Sequence, residues 1–132
     1  MIYLDSSALL KLVREERESD ALDRWLSARA DTPVVSSELA KVELIRACRR
    51  MGPDALPVAR ALLAGLDLIP LSSDVLDEAA DVGGEQLRSL DAIHLASALS
   101  IRADLTTFIA FDHRLATAAS AAGLELLDLD HR

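Results

Sequence analysis

Met-Ile-Tyr-Leu-Asp-Ser-Ser-Ala-Leu-Leu, residues 1–10, decides how this chain is read. Ile2, Tyr3 and Leu4 predict a short buried strand, Asp5 follows at once, and Ser6 to Leu12 predicts a helix. In an open α/β sheet, ligands bind in the crevice beyond the carboxyl ends of the strands. An Asp closing the first strand therefore stands where a site belongs.

Outward from that stretch the chain alternates. Glu15 to Glu18 makes a charged break, and Ser19 to Arg29 reads as an amphipathic helix with Leu22, Trp25 and Leu26 at helical spacing. Thr32 to Ser36 is a strand. Ser37 and Glu38 open a helix that runs to Met51 and stops at Gly52-Pro53. Ala55 to Ala64 is helical, Leu66 to Leu71 a short strand, and Ser73 starts a helix broken by Gly83-Gly84. Ser89 to Ile101 is a helix apolar nearly all round, which implies burial. Leu105 to Phe111 is a strand, Asp112 to Ala122 a helix stopped by Gly123, and Leu124 to Leu127 a last strand. Strands alternating with helices imply a parallel α/β sheet, and 132 residues are most simply one domain.

Composition narrows the class. Half the residues are hydrophobic but only four are aromatic, so Ala and Leu fill the core. No apolar run approaches a membrane span, and the N-terminus lacks the pattern of a signal peptide. Cys48 is the sole cysteine, so no disulfide framework exists and a cytoplasmic home is expected. A net charge of −8 argues against non-specific nucleic-acid binding through bulk positive potential. It leaves room for a nucleic-acid enzyme whose site carboxylates are neutralised by metal.

Four acidic residues stand apart from the solvated majority. Asp5 and Asp112 match: IYLD-SSALL and FIAFD-HRLA each place Asp between strand and helix. Either alone serves as a helix N-cap; two at equivalent strand ends shift the balance toward a site. Glu43 falls inside the apolar arc of its helix, among Leu39, Ala40, Leu44, Ala47, Cys48 and Met51, at about 100° per residue. Burying a lone carboxylate is costly; an Arg partner or a metal ion answers that cost, and the metal is the preferred reading. Asp91 opens the most apolar helix, SLDAIHLASAL, where a charge near the dipole is favourable but needs company in the interior. Asp5, Glu43, Asp91 and Asp112 together suit Mg²⁺ or Mn²⁺, which take hard oxygen ligands and activate water for displacement at phosphorus. Of the histidines, His94 reads as a satisfied core residue, His113 as an outer-shell group, and His131 as tail.

These pieces resemble a known family. MIYLDSSALLKL, SSELAKVELIRA, LRSLDAIHLASAL, ADLTTFIAFDHRLATAA and the closing GLELLDL stand in the order and spacing of PIN-domain proteins, most closely the VapC toxins of toxin–antitoxin pairs. The resemblance implies an α/β/α sandwich with a small parallel sheet over residues 1–132. It implies Asp5, Glu43, Asp91 and Asp112 as the acidic quartet, with Ser7 at the small hydroxyl position after the first Asp. The implied activity is metal-dependent endonucleolytic cleavage of RNA, inhibited by a cognate antitoxin, in a protein that dimerises. One departure stands out: relatives often carry Thr or Ser where this chain has Ala110.

The RNA-binding surface is less legible. Twelve Arg against two Lys suits planar, bidentate phosphate recognition. Lys11 and Arg14 follow Asp5, and Arg46, Arg49 and Arg50 follow Glu43; each is placed to track an RNA backbone, or is ordinary charged surface. Trp25, with Leu22 and Leu26, is either core or a protein interface. Two further readings are a phosphotransfer or phosphatase domain using Asp5 and a catalytically silent binding module whose carboxylates are caps and ion pairs.

Overall fold

The computed structural model describes residues 1–129; His131, assigned above to the tail, lies outside them. In chain order the elements are β1 (Ile2–Leu4), α1 (Ser6–Val13), α2 (Ser19–Ser27), β2 (Val34–Ser37), α3 (Glu38–Arg49), α4 (Ala55–Ala64), β3 (Asp67–Ile69), α5 (Ser73–Asp81), α6 (Ser89–Ser100), β4 (Thr107–Ile109) and α7 (His113–Ala121). The four strands form one parallel sheet in the order β3-β2-β1-β4. The expected α/β/α architecture with a small parallel sheet is the one observed.

Side chains alternate across a strand, and β1 uses this to feed two cores. Ile2 and Leu4 join Ile109 and the buried residues of α1 to α4 on one face. Tyr3 joins Val35, Phe108, three residues of α6 (Leu95, Ala98, Leu99) and two of α7 (Leu115, Ala119) on the other. The wholly apolar character read for α6 has its cause here: Ala92 and every residue from His94 to Leu99 are buried. On the opposite layer, Cys48 of α3 is fully enclosed.

Gly52 and Gly123 take positive φ values of 117° and 94°, a region that side-chain-bearing residues avoid, and they turn the chain after α3 and α7. The strand expected over 124–127 is reduced to a single bridge between Phe108 and Leu126. Of the three residues in β4, only Phe108 turns its N–H and C=O to the outer edge. It accepts from Leu127 and donates to Glu125, and the ladder ends there. No helix among the described residues is long and apolar enough to cross a membrane.

The order of the strands fixes where a site can form. From β1 the sheet grows one way to β2 and β3, and the other way to β4. The switch point thus lies between β1 and β4, where an open α/β sheet leaves a crevice. Asp5 leaves β1 at that point, and its backbone N–H donates to Ile109 O of β4 at 3.1 Å.

Candidate active site

Asp5 is the N-cap of α1 and is only 3% exposed. Its Oδ1 accepts from Ala8 N at 2.9 Å and from Ser7 Oγ at 2.7 Å. Ser7 Oγ in turn accepts from Phe111 N at 2.8 Å, so one hydroxyl ties the turn after β1 to the turn after β4. Burial pushes the Asp5 carboxyl above its usual range; the bonds from Ser7 and Ala8 and the nearby His94 pull it down, and Asp91 pushes it up again.

Glu43 projects from α3 and is half-buried, and no Arg among the described residues pairs with it. Its Oε1 accepts from Ser6 Oγ at 2.5 Å and pairs with His94 Nε2 at 2.7 Å. His94 is itself buried and meets the Tyr3 hydroxyl through Nδ1 at 2.7 Å. Burial would raise the Glu43 carboxyl, yet the hydrogen bonds from His94 and Ser6 outweigh it and hold the group below its usual range. His94 is therefore a core histidine, as its sequence context suggests, and also a direct partner of Glu43. The signal was available in the sequence. His94 follows Asp91 by three residues, and residues three apart share a helix face.

Asp91, in the first turn of α6, is partly buried, and Asp112 is the exposed N-cap of α7, accepting from Leu115 N at 3.1 Å. Burial raises the Asp91 carboxyl, and Asp112 and Glu43 raise it further by like-charge repulsion, partly offset by His94 and Arg88. The four carboxylates thus share one electrostatic neighbourhood. None of them is ion-paired to Lys or Arg among the described residues. Among those residues, no three His, Cys, Asp or Glu side chains close into a group that would hold a metal as they stand. Like charges repel, and three of the four, Asp5, Glu43 and Asp112, are already anchored by internal donors. The chemistry of the donor set, hard anionic oxygens with no Lys or Arg ion pair among the described residues, still suits a hard divalent ion.

The cations named from the sequence fall into two groups. Lys11 Nζ pairs with Glu18 at 2.7 Å and lies 4.8 Å from the centre of the Phe111 ring. Arg14 pairs with Glu16 at 3.0 Å. Arg46 is exposed on α3, one turn beyond Glu43. Trp25 and Leu26 pack at the margin of the first core cluster around buried Leu22, and the Arg29 guanidinium covers the Trp25 ring at 3.8 Å.

A parallel sheet layered by helices, with acids gathered at its switch point, is the arrangement of a hydrolytic α/β domain. The PIN domain family matches residues 2–121. Ribonuclease VapC47 of Mycobacterium tuberculosis (strain CDC 1551 / Oshkosh) is 44% identical over 126 residues, spanning 93% of each chain. Ribonuclease VapC35 of the same strain is 44% identical over 129 residues, 96% of each chain. Among solved structures, Mycobacterium tuberculosis VapC20, described as a sarcin-ricin loop cleaving toxin, shares the fold with a TM-score of 0.68 at 19% identity, covering 94% of this chain and 96% of that one. VapBC2 from Rickettsia felis, bound to a DNA fragment from its promoter, gives a TM-score of 0.69 at 14% identity, covering 96% of this chain and 98% of that one. The chain belongs to the PIN-domain family and, within it, to the VapC ribonucleases.

Proposed function

We propose that this protein is a divalent-metal-dependent endoribonuclease and the toxin of a toxin–antitoxin pair. One observation carries the reading: four carboxylates from four segments share one electrostatic neighbourhood at the switch point of a PIN sheet, and none is ion-paired to Lys or Arg among the described residues. In this reading Asp5, Glu43, Asp91 and Asp112 hold the ion, Mg²⁺ in the cell with Mn²⁺ as a substitute. Such an ion lowers the pKa of a bound water and stabilises the charge that develops in an in-line displacement at phosphorus.

The chain's own residues set the stage for that step. Ser7 fixes the rotamer of Asp5 and holds the backbone before Asp112 against it. This tie runs through the Phe111 N–H, so it operates despite Ala110. Asp112, exposed at the rim, faces the solvent from which RNA approaches. Arg46, free on α3, contacts the phosphate backbone, and Lys11 and Arg14 join it by exchanging their carboxylate partners for phosphates. A cognate antitoxin masks the site, the protein pairs with a second copy, and it works in the cytoplasm.

The phosphotransfer alternative needs Asp5 as a free nucleophile near a lysine. Asp5 is buried with Oδ1 already accepting twice, and Lys11 is committed to Glu18. The silent-module alternative draws on the spacing of the acids, no three of which close into a metal-holding group among the described residues. The test is cleavage of a mixed RNA pool with Mg²⁺, with Mn²⁺ and with chelator, beside Asp5→Asn and Glu43→Gln. Metal-dependent cleavage lost in both variants supports the nuclease. Equal cleavage by the variants, or none with either metal, overturns it.

A further inference from the structure

Two buried side chains form a chain of hydrogen bonds behind Glu43: Tyr3 hydroxyl to His94 Nδ1 at 2.7 Å, and His94 Nε2 to Glu43 Oε1 at 2.7 Å. Tyr3 is fully buried and His94 is 1% exposed, so neither can touch an RNA. The Tyr3 ring is clamped from two sides, stacked on Phe108 at 5.3 Å and edge-on to His94 at 5.9 Å. Both hydrogen bonds to Glu43, from Ser6 and from His94, fall on Oε1.

We infer that His94 is a positioning residue: held through Nδ1 by Tyr3, it fixes Glu43 through Nε2 and leaves Oε2 as the oxygen presented to the ion. This rests on the reading of Glu43 as a metal ligand. The protons can be assigned from the donors available. A carboxylate only accepts, so Nε2 carries the proton and donates to Glu43. With the proton on Nε2, Nδ1 is left to accept from the Tyr3 hydroxyl. Without Tyr3 the ring keeps its Nε2–H toward Glu43 but loses the partner on Nδ1 that holds its orientation. The relay therefore links the middle residue of the central strand to the orientation of an acid on α3, and a histidine that donates to a ligating carboxylate is a recurrent way of orienting it.

The test uses the full-length protein with Mn²⁺ as probe. Nitrogen NMR of the metal-free protein reads the His94 tautomer, titration calorimetry reads Mn²⁺ affinity, and thermal melts confirm folding. Wild type is expected to show the Nε2–H form. Affinity for Mn²⁺ is expected to fall roughly 10-fold in His94→Leu, on the scale of losing such a supporting group. His94→Gln, whose amide can donate to Glu43, recovers part of it. Tyr3→Phe keeps the ring stack, removes the hydrogen bond on Nδ1 that holds the imidazole in place and weakens Mn²⁺ binding with no change at Glu43; it decides the matter if His94→Leu does not fold. Wild-type affinity in Tyr3→Phe and His94→Leu, alongside weak binding by Glu43→Gln, overturns the relay and leaves the metal site standing. Wild-type affinity in Glu43→Gln overturns the metal reading, and the relay with it.

Discussion

The turns after β1 and β4 are built from the same local device and end in opposite states. Each closes a strand with an Asp that caps the next helix, Asp5 on Ala8 N and Asp112 on Leu115 N. Asp5 is sealed beneath α1 and held by Ser7, whereas Asp112 stands exposed at the start of α7. A cap residue alone is an ordinary element of helix stability. Two caps meeting at a switch point, one rigid and one open to solvent, make a fixed wall and an accessible wall for the same crevice. The asymmetry suits a site that must hold an ion firmly on one side and admit a polymer on the other.

Removing either charge is the strongest way to break that comparison. Asp5→Asn and Asp112→Asn both retain a competent cap, and each is expected to lower RNA cleavage by about 10²-fold or more, the scale of losing a group that stabilises transition-state charge. Their stabilities should differ. The raised Asp5 carboxyl marks a charge that opposes folding once ionised, a cost absent at low pH and fully present above its folded pKa. Asp5→Asn should therefore melt higher than wild type in chelator at neutral pH, while exposed Asp112→Asn should melt as wild type. A lower melting temperature for Asp5→Asn would show that the sealed turn needs its charge.

Metal sharpens the same contrast. Mn²⁺ at about a hundred times its dissociation constant adds about 2.7 kcal/mol to the stability of a protein that binds it only when folded. Wild type should gain melting temperature on that scale and return to baseline with chelator. Asp5→Asn should gain little.

Ser7→Ala cuts the link between the two turns. It leaves the Phe111 N–H without its partner, which costs about 1–3 kcal/mol, and it frees Asp5 to rotate, lowering cleavage by roughly 10-fold. Full activity in a destabilised Ser7→Ala protein would reduce Ser7 to a structural role.

The smallest effect concerns the second tie, Lys11, which leaves α1 to rest on the Phe111 ring beside Asp112. Its hydrogen bond holds the Glu18 carboxyl below the usual range. The stability this gives is present above the unfolded carboxyl pKa and is lost as pH falls through the folded one. Glu18→Gln should cost about 1 kcal/mol or less, the scale of ion pairs in reach of solvent, and flatten the acid side of the melting profile. Because it also releases Lys11 for phosphate, RNA affinity should rise slightly in a filter-binding assay.

The sheet, its flanking helices and the acids at its strand ends were legible because each rests on a local signal. The triplet Ile2-Tyr3-Leu4 has no polar face, Gly52 and Gly123 punctuate, and α6 is apolar all round because both sheet and helices cover it. What was not legible depends on where separate elements land. Periodicity in 124–127 says nothing about how much edge β4 offers, and β4 offers only Phe108. Lys11 and Arg14 look like free cations until Glu16 and Glu18 fold back on them across the break after α1. Glu43 reads correctly as a carboxylate in need of a partner. That His94, fifty-one residues away, supplies a hydrogen bond is a consequence of α3 and α6, from opposite faces of the sheet, meeting beside Ser6 at the end of β1.

Cys48 lies five residues beyond Glu43 on α3, wholly enclosed, with its thiol pushed up by burial. A thiol reagent can reach it only when the helix parts from its neighbours, so its labelling rate is a clock for that opening. Being the chain's single cysteine, it keeps time without any engineered reporter. Ligands that engage Glu43 from above should slow the clock, and the slowing would register how firmly the acid-bearing helix is clamped during each stage of the protein's working cycle.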